Sequence, residues 1–361
     1  MRTMKRVLLA ICFVVFLGTS SFAEESYARL AKSVVVGLAF PSLEALSESI
    51  KRLAPAASKF CTSQTEENRR RVDEAFHRVM DAWQVAQIFT IGPLVRKGRF
   101  SRIHFWPGRV GSTERYLRKV FRSRPPDLTD AKKIAKRSVA IHSLAAFERF
   151  IFDPSTLSVS RQVDPYRCRI ATAIAGFQLG MVGDIILEWR GPEGFKQTIL
   201  EPRPHNPLYR KHRDAANDVL GLFGGSLERI ARLKLRRPLG KSLAKIRTNR
   251  LENWRSGRSK RNIRINLETL QKIYSREAGL EAQLRAVHAN ALADEVGERL
   301  RRVGHILAEL PAPLHKSISE EAIWVKLDHL HGEIEQLVRM TSGPIAQTLG
   351  LVVGFNSLDG D

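Results

Sequence analysis

Residues 166–190 read YRCRIATAIAGFQLGMVGDIILEWR, and their reading decides the fold class. Ile170, Ile174, Phe177, Met181, Ile185 and Trp189 recur every three or four positions, the period of an α-helix that buries one face. Asp164-Pro165 precedes the stretch and Gly191-Pro192-Glu193-Gly194 ends it. Alternation with a period of two, the mark of a half-buried strand, is scarce anywhere in the 361 residues.

Working outward, the same helical period predicts helices over 34–53, bending at Pro41, and over 66–89, with Val72, Phe76, Val79, Trp83 and Ile88 on one stripe. Residues 97–109 read as a loop, 112–121 as a short helix, and 129–152 as one helix capped by Thr129. The stretch 191–207, with Pro192, Pro202, Pro204 and Pro207, suits a connection. Beyond it, helices are expected over 206–235, 261–275 and 280–310. A last helix, capped by Ser317 or Ser319, reaches residue 340, and 238–257 reads as irregular. The expectation is an all-α protein of two helical-bundle domains, 24–195 and 196–361, joined by the Pro/Gly-rich connection. No repeat with a period of 20–50 residues is evident, which argues against a solenoid.

Residues 1–23 have the layout of a cleaved signal peptide. Arg2, Lys5 and Arg6 precede the apolar run VLLAICFVVFL, and Ser21 and Ala23 flank a small-residue cleavage point near Ala23. A transmembrane helix needs about 20 apolar residues, more than this run supplies, and no later charge-free run is long enough. The mature protein is therefore expected in the periplasm, with no transmembrane segment. Cys12 lies inside the apolar run, where it cannot serve as a lipidation site. Only Cys61 and Cys168 remain after cleavage, and an oxidising compartment favours their pairing as a disulfide.

The net charge is +22, from 59 Lys and Arg against 37 Asp and Glu. Export and the absence of RNP, zinc-finger or basic-zipper patterns argue against a nucleic-acid partner. The charge reads either as a solvated Arg-rich surface or as attraction to anionic envelope ligands. H-E-x-x-H, G-x-S-x-G, Walker A and G-x-G-x-x-G patterns are all missing, which removes the standard zinc-protease, hydrolase and nucleotide chemistries.

Three places could carry chemistry. On a continuous 129–152 helix, Glu148 falls in the middle of the apolar stripe of Ile134, Ile141, Leu144 and Ile151, with Arg137 near the same face and His142 about 120° away. A carboxylate there must be paired or act as a ligand. The cluster Asp328, His331 and Glu335 points away from the stripe of Leu327, Leu330 and Ile334 and reads as a solvated face. Residues 250–259, RLENWRSGRS, are dense in donors beside a helix start, which suits an anion site or hydrogen bonding between the two halves.

The residues around these places resemble the imelysin-like family of exported bacterial proteins, first classed as metallopeptidases. Trp83 with Gly92-Pro93 and His104-Phe105-Trp106-Pro107-Gly108-Arg109 is similar to its "W…GP…fWP" stretch. Ala146-Phe147-Glu148 is similar to its "G-x-H-x-x-E" helix. Glu252-Asn253-Trp254-Arg255-Ser256-Gly257-Arg258-Ser259 is similar to its "E-x-x-RSx-S" segment, and Gly354-Phe355-Asn356 through Asp359-Gly360-Asp361 to its "GFN-x-x-DGD" close. The resemblance implies two helical bundles and a role in iron acquisition, with iron-uptake components as partners and iron or another metal ion as cofactor. It implies a site at Glu148, Trp106, Arg109, Glu252, Trp254, Arg255 and Ser256, with Glu148 as the metal ligand. Ala145 stands where the family motif has His, and Ser143 where it has Gly. The break favours a binding protein without catalysis over a metallopeptidase, with a cationic envelope-binding protein as a further alternative.

Overall fold

A computed structural model of the chain describes residues 23–108, 110–153 and 162–354. Residues 1–22, among which the expected signal peptide falls, Arg109, residues 154–161 and residues 355–361 lie outside them. The protein is all-α, and among the described residues an isolated bridge at Val163 is the one β-type feature.

The N-terminal half is built on a long first helix, α1 (Ala23–Thr62), with a wider π-helical turn at Val35–Ala39. Next comes α2 (Glu66–Ala86), whose Thr65 hydroxyl caps the N–H of Asn68 at 3.2 Å and whose first turn holds Glu66 and Glu67 against the helix dipole. Val72, Phe76, Val79, Met80 and Trp83 are its buried stripe. Short α3 (Arg99–Ile103) and α4 (Val110–Ser123) follow, then α5 (Leu144–Phe152) and the central α6 (Pro165–Arg190). Asp164 caps α6 through the N–H groups of Tyr166 and Arg167, and Pro165 takes the first helical position, where no N–H is needed. α1 packs on both α2 and α6, and α5 packs on α6. α1 and α6 are each long and apolar enough to cross a membrane by length and composition, but 56% of each apolar window is buried within this fold.

The C-terminal half holds α7 (His212–Glu228), which runs on into a π-helical stretch at Arg229–Arg236. It continues with α8 (Ser259–Ser275), α9 (Leu280–Ala286), α10 (Asn290–Glu309) and α11 (Glu321–Met340). α7, α8, α10 and α11 pack on one another, and α8 also packs on α2 of the other half. The connection is not bare loop. It contains the helix Phe195–Leu200, whose Phe195 ring sits under Gly92. Gly92 has φ +55°, and a Cβ there would fall 2.5 Å from that ring, so glycine is required on both counts.

Three expectations need correction. The single helix over 129–152 is instead a chain of short pieces, with Ala131–Ile134 and Val139–His142 preceding α5. Serine hydroxyls and extended backbone interrupt it: Ser138 caps Ala140, and Ser143 takes φ −88°, ψ 163°. Asp130, rather than Thr129, caps the first piece through the N–H groups of Lys132 and Lys133 at 2.8 and 3.0 Å. Arg137 is thereby drawn to Asp127 at 2.7 Å and plays no part near Glu148. The long 280–310 helix breaks between α9 and α10, where His288 takes φ +61°. The last helix starts after Glu320 without a side-chain cap, and Ser317 closes the separate turn Leu314–Ser317.

Cys61 at the end of α1 and Cys168 in the first turns of α6 are disulfide-bonded, with Cα atoms 5.4 Å apart and a sequence separation of 107. Closing a loop of that length removes roughly 4–5 kcal/mol of unfolded-chain entropy. Cys61→Ser/Cys168→Ser should therefore lower the unfolding free energy by an amount of that order in denaturant titration. A loss below about 1 kcal/mol would mean that the reduced chain already holds the two helices together.

Candidate functional site

The site is organised by the turn between Leu251 and Ser259. Asn253 sits at φ +48°, a left-handed conformation that Asn tolerates better than most residues, and Gly257 at φ +70°. The N–H of Arg258 bonds to the Asn253 carbonyl at 3.0 Å and closes the turn onto the start of α8. This bend points neighbouring side chains in opposite directions, with Glu252 turned inward and Ser256 turned toward α5.

Glu148 on α5 is buried, 4% exposed. Its Oε1 accepts from the Ser256 N–H at 2.9 Å and from the Ser256 hydroxyl at 2.6 Å, and its Oε2 accepts from Asn253 Nδ2 at 3.0 Å. Burial pushes its pKa above the usual carboxylate range, and the Ser256 and Asn253 bonds and the nearby Arg255 charge pull partly back. Arg255 does not bond Glu148. Its Nε donates to Asp153 at 2.5 Å, its guanidinium lies 4.4 Å over the Trp254 ring, and Glu114 stands 3.8 Å away, also paired with Arg149.

Beneath this layer lies a second, fully buried one. Glu252 accepts from Lys234 Nζ at 2.8 Å, Asn262 Nδ2 at 2.8 Å and Gln84 Nε2 at 3.3 Å. Lys234 also donates to Gln84 Oε1 at 2.7 Å, so α2 and the stretch after α7 share one network. Burial pushes the Glu252 pKa up, but Lys234, His104 and the bonds from Lys234 and Asn262 outweigh it and hold the pKa below normal. Burial dominates at Lys234 and lowers its pKa. Asn262 links the layers by donating also to Asn253 Oδ1 at 2.8 Å. His104, at the end of α3, stands 3.7 Å from Glu252 and 3.5 Å from Asn253, and burial drives its pKa down to about 4, so it is neutral at ordinary pH.

Above Glu148 opens a cavity of about 70 Å³, enough for a few waters or one small group. Trp106, Trp254 and Arg255 wall it together with Arg149, Arg237 and Arg250. The resemblance-based site residues thus divide. Glu148, Trp106, Trp254 and Arg255 meet at the cavity, Ser256 holds Glu148 from the side, and Glu252 lies below, taken up by Lys234. Arg109 lies outside the described residues. His142 is buried elsewhere, with Nδ1 3.2 Å from the Ile134 carbonyl and its ring on Phe177. On α11, Asp328 is paired with Arg236, and His331 and Glu335 face each other at 3.7 Å. Among the described residues no three His, Cys, Asp or Glu side chains gather to hold a metal ion. Lys234 escaped the sequence reading. It stands four residues after buried Ile230, one turn on along the same face, and that spacing was the available signal.

A family model, Imelysin (Peptidase_M75), matches residues 39–338. The chain belongs to the imelysin family. Among solved structures, this imelysin is similar to an imelysin-like protein from Psychrobacter arcticus 273-4, with TM-score 0.75 and 18% identity over 92% of this chain and 98% of that one. It is also similar to a candidate iron-regulated protein A precursor from Parabacteroides distasonis ATCC 8503, with TM-score 0.73 and 12% identity over 90% of this chain and 95% of that one. At such identities the likeness establishes the shared fold. No curated protein matches the sequence.

Two outcomes follow for this imelysin. Lys234→Met strands a buried carboxylate and should cost roughly 3–5 kcal/mol in chemical denaturation, while adding Glu252→Gln should restore much of it. His104 has a folded pKa of about 4, below its ordinary 6.5, so the unfolded chain binds its proton first. The stability it contributes is complete above pH 6.5 and is lost as the pH falls toward about 4, on the order of 3 kcal/mol in all. His104→Gln should flatten the stability–pH curve across that window. An unchanged slope would show that other groups carry it.

Proposed function

We infer that this imelysin is an exported, periplasmic binding protein of iron handling that carries no catalysis, and that two helical units, residues 24–195 and 196–361, meet at its Glu148 pocket. The observation that carries the reading is the state of Glu148. Its oxygens already accept three hydrogen bonds from Ser256 and Asn253, and Ala145 stands one turn before it where the family motif has His. Metal-assisted hydrolysis needs about three protein ligands and an open position for water, and one committed carboxylate does not fit that role or a simple metal-ligand role. The carboxylates around the pocket are committed as well, Glu114 to Arg149, Asp153 to Arg255 and Glu252 to Lys234. A ligand that brings its own iron ligands needs to seat only one small group in this cavity, against its arginine and tryptophan walls. The iron-related name of the Parabacteroides neighbour supports the physiological setting.

Peptide hydrolysis assayed with and without Zn²⁺ should show no turnover. Turnover that requires both Zn²⁺ and Glu148 would overturn the reading. Ala145→His restores the motif pair and should bind Zn²⁺ in calorimetry at least about tenfold tighter than the native chain. Native mass spectrometry of protein taken from its own cells should find a small molecule, rather than a bare metal ion, retained on the chain.

A further inference from the structure

A second and larger cleft, of about 830 Å³, lies on the other side of the Trp106 segment. Phe100, Phe105 and Trp106 line one part of it, and Asp218, Gly221 and Arg229 from α7 and its continuation line another, the two parts meeting where Arg229 covers Phe100. Its size is that of an organic-ligand site rather than of an ion site.

Arg229 is the unusual member. Its guanidinium lies 4.8 Å over the Phe100 ring. It is largely enclosed, and burial lowers its pKa. Among the described residues it makes no side-chain hydrogen bond and no ion pair within 4 Å. Its two nearest carboxylates are committed to other cations, Glu228 to Arg232 at 2.6 Å and Glu252 to Lys234 at 2.8 Å. Its guanidinium donors meet no protein acceptor among the described residues and line the cleft, where an anion can accept from them in place of water. Asp218, the one carboxyl on the same wall, is eleven residues earlier, about 16 Å along the helix, and accepts from the Tyr209 hydroxyl at 2.6 Å. At that distance it does not cancel the Arg229 charge.

We propose that this cleft binds a small organic anion, with its carboxylate or similar group on Arg229 and a flat apolar body along Phe100, Phe105 and Trp106. A bidentate, charge-assisted contact to a guanidinium in a half-dry site discriminates strongly against a neutral isostere. The aromatic wall supplies the apolar contact and gives a built-in reporter in Trp106. The proposal does not rest on the Glu148 pocket, which lies on the far side of Trp106 and is lined by different arginines.

The test uses 2-naphthoate and its neutral counterpart 2-naphthamide, titrated into the full chain by calorimetry and by tryptophan fluorescence. Naphthoate is expected to bind at least about tenfold tighter than naphthamide. Arg229→Met should remove that preference and leave the weak naphthamide binding in place, with helical circular dichroism confirming the fold. Gly221→Phe provides the independent arm. Gly221 lines the cleft and a Cβ there meets no atom within 4 Å, so a phenylalanine at this position fills cleft space and should abolish binding of both probes, with circular dichroism again checking the fold. Equal affinity for the two probes, no binding of either, or naphthoate binding unchanged in both variants would overturn the proposal. Naphthoate binding that appears only after removal of residues 355–361 would assign the cleft to the end of the chain itself and would overturn it equally.

Discussion

Glu252 and Lys234 hold each other's charge at a depth where neither could stay ionised alone. Taking either from water costs several kcal/mol, and their attraction repays it only because Gln84 and Asn262 satisfy the remaining lone pairs and protons. An apolar cluster of the same volume would hold the halves at least as firmly. What the ionic version adds is direction. Asn262 bonds both Glu252 and Asn253, so the inner layer sets the orientation of the amide that meets Glu148. Everything at the pocket is hung from that pair.

The direction propagates through backbone strain. Asn253 is held left-handed by the turn closing on Arg258, and Arg258 is itself buried against Asp81 and His77 of α2. The turn is therefore fixed at both ends by helices of the other half and of α8. With its donors fixed in this way, Glu148 meets a preformed cradle rather than side chains that must be collected at each encounter. A site of this kind pays little ordering entropy when it binds.

The helical period made the class of the fold legible, because α2, α6 and α8 each carry an uninterrupted stripe. It failed where side-chain chemistry overrode the period. The chain broke at Ser138 and Ser143, where the Ser138 hydroxyl accepts from the Ala140 N–H and the Ser143 backbone is extended, neither of which a period count weighs. Glu148 stood out even so, because the local stripe of Leu144, Phe147 and Ile151 survives inside α5. Ser256 came from the family-like segment, and its role in bonding Glu148 matches that origin. Lys234 was hidden among the arginines of Arg229–Arg236, where a count of charges gives no sign of which cation turns inward. Arg229 was hidden for the same reason. The π-helical winding of that stretch shifts its faces away from the regular spacing used to read it.

The disulfide divides the pocket in a way that its chemistry alone does not suggest. Gln84, His104, Trp106, Glu148 and Arg149 all lie between Cys61 and Cys168, inside one covalent ring, while Lys234, Asn253, Trp254 and Ser256 lie outside it. A ring limits how far its own segments can drift apart, and the free stretch has no such tether. Once the chain unfolds with the disulfide intact, the Trp254 wall can move further from Glu148 than Trp106 can. One wall of the pocket is thus carried by a covalently closed loop and the other by the hydrogen bonds and ion pairs of the Leu251–Ser259 turn alone.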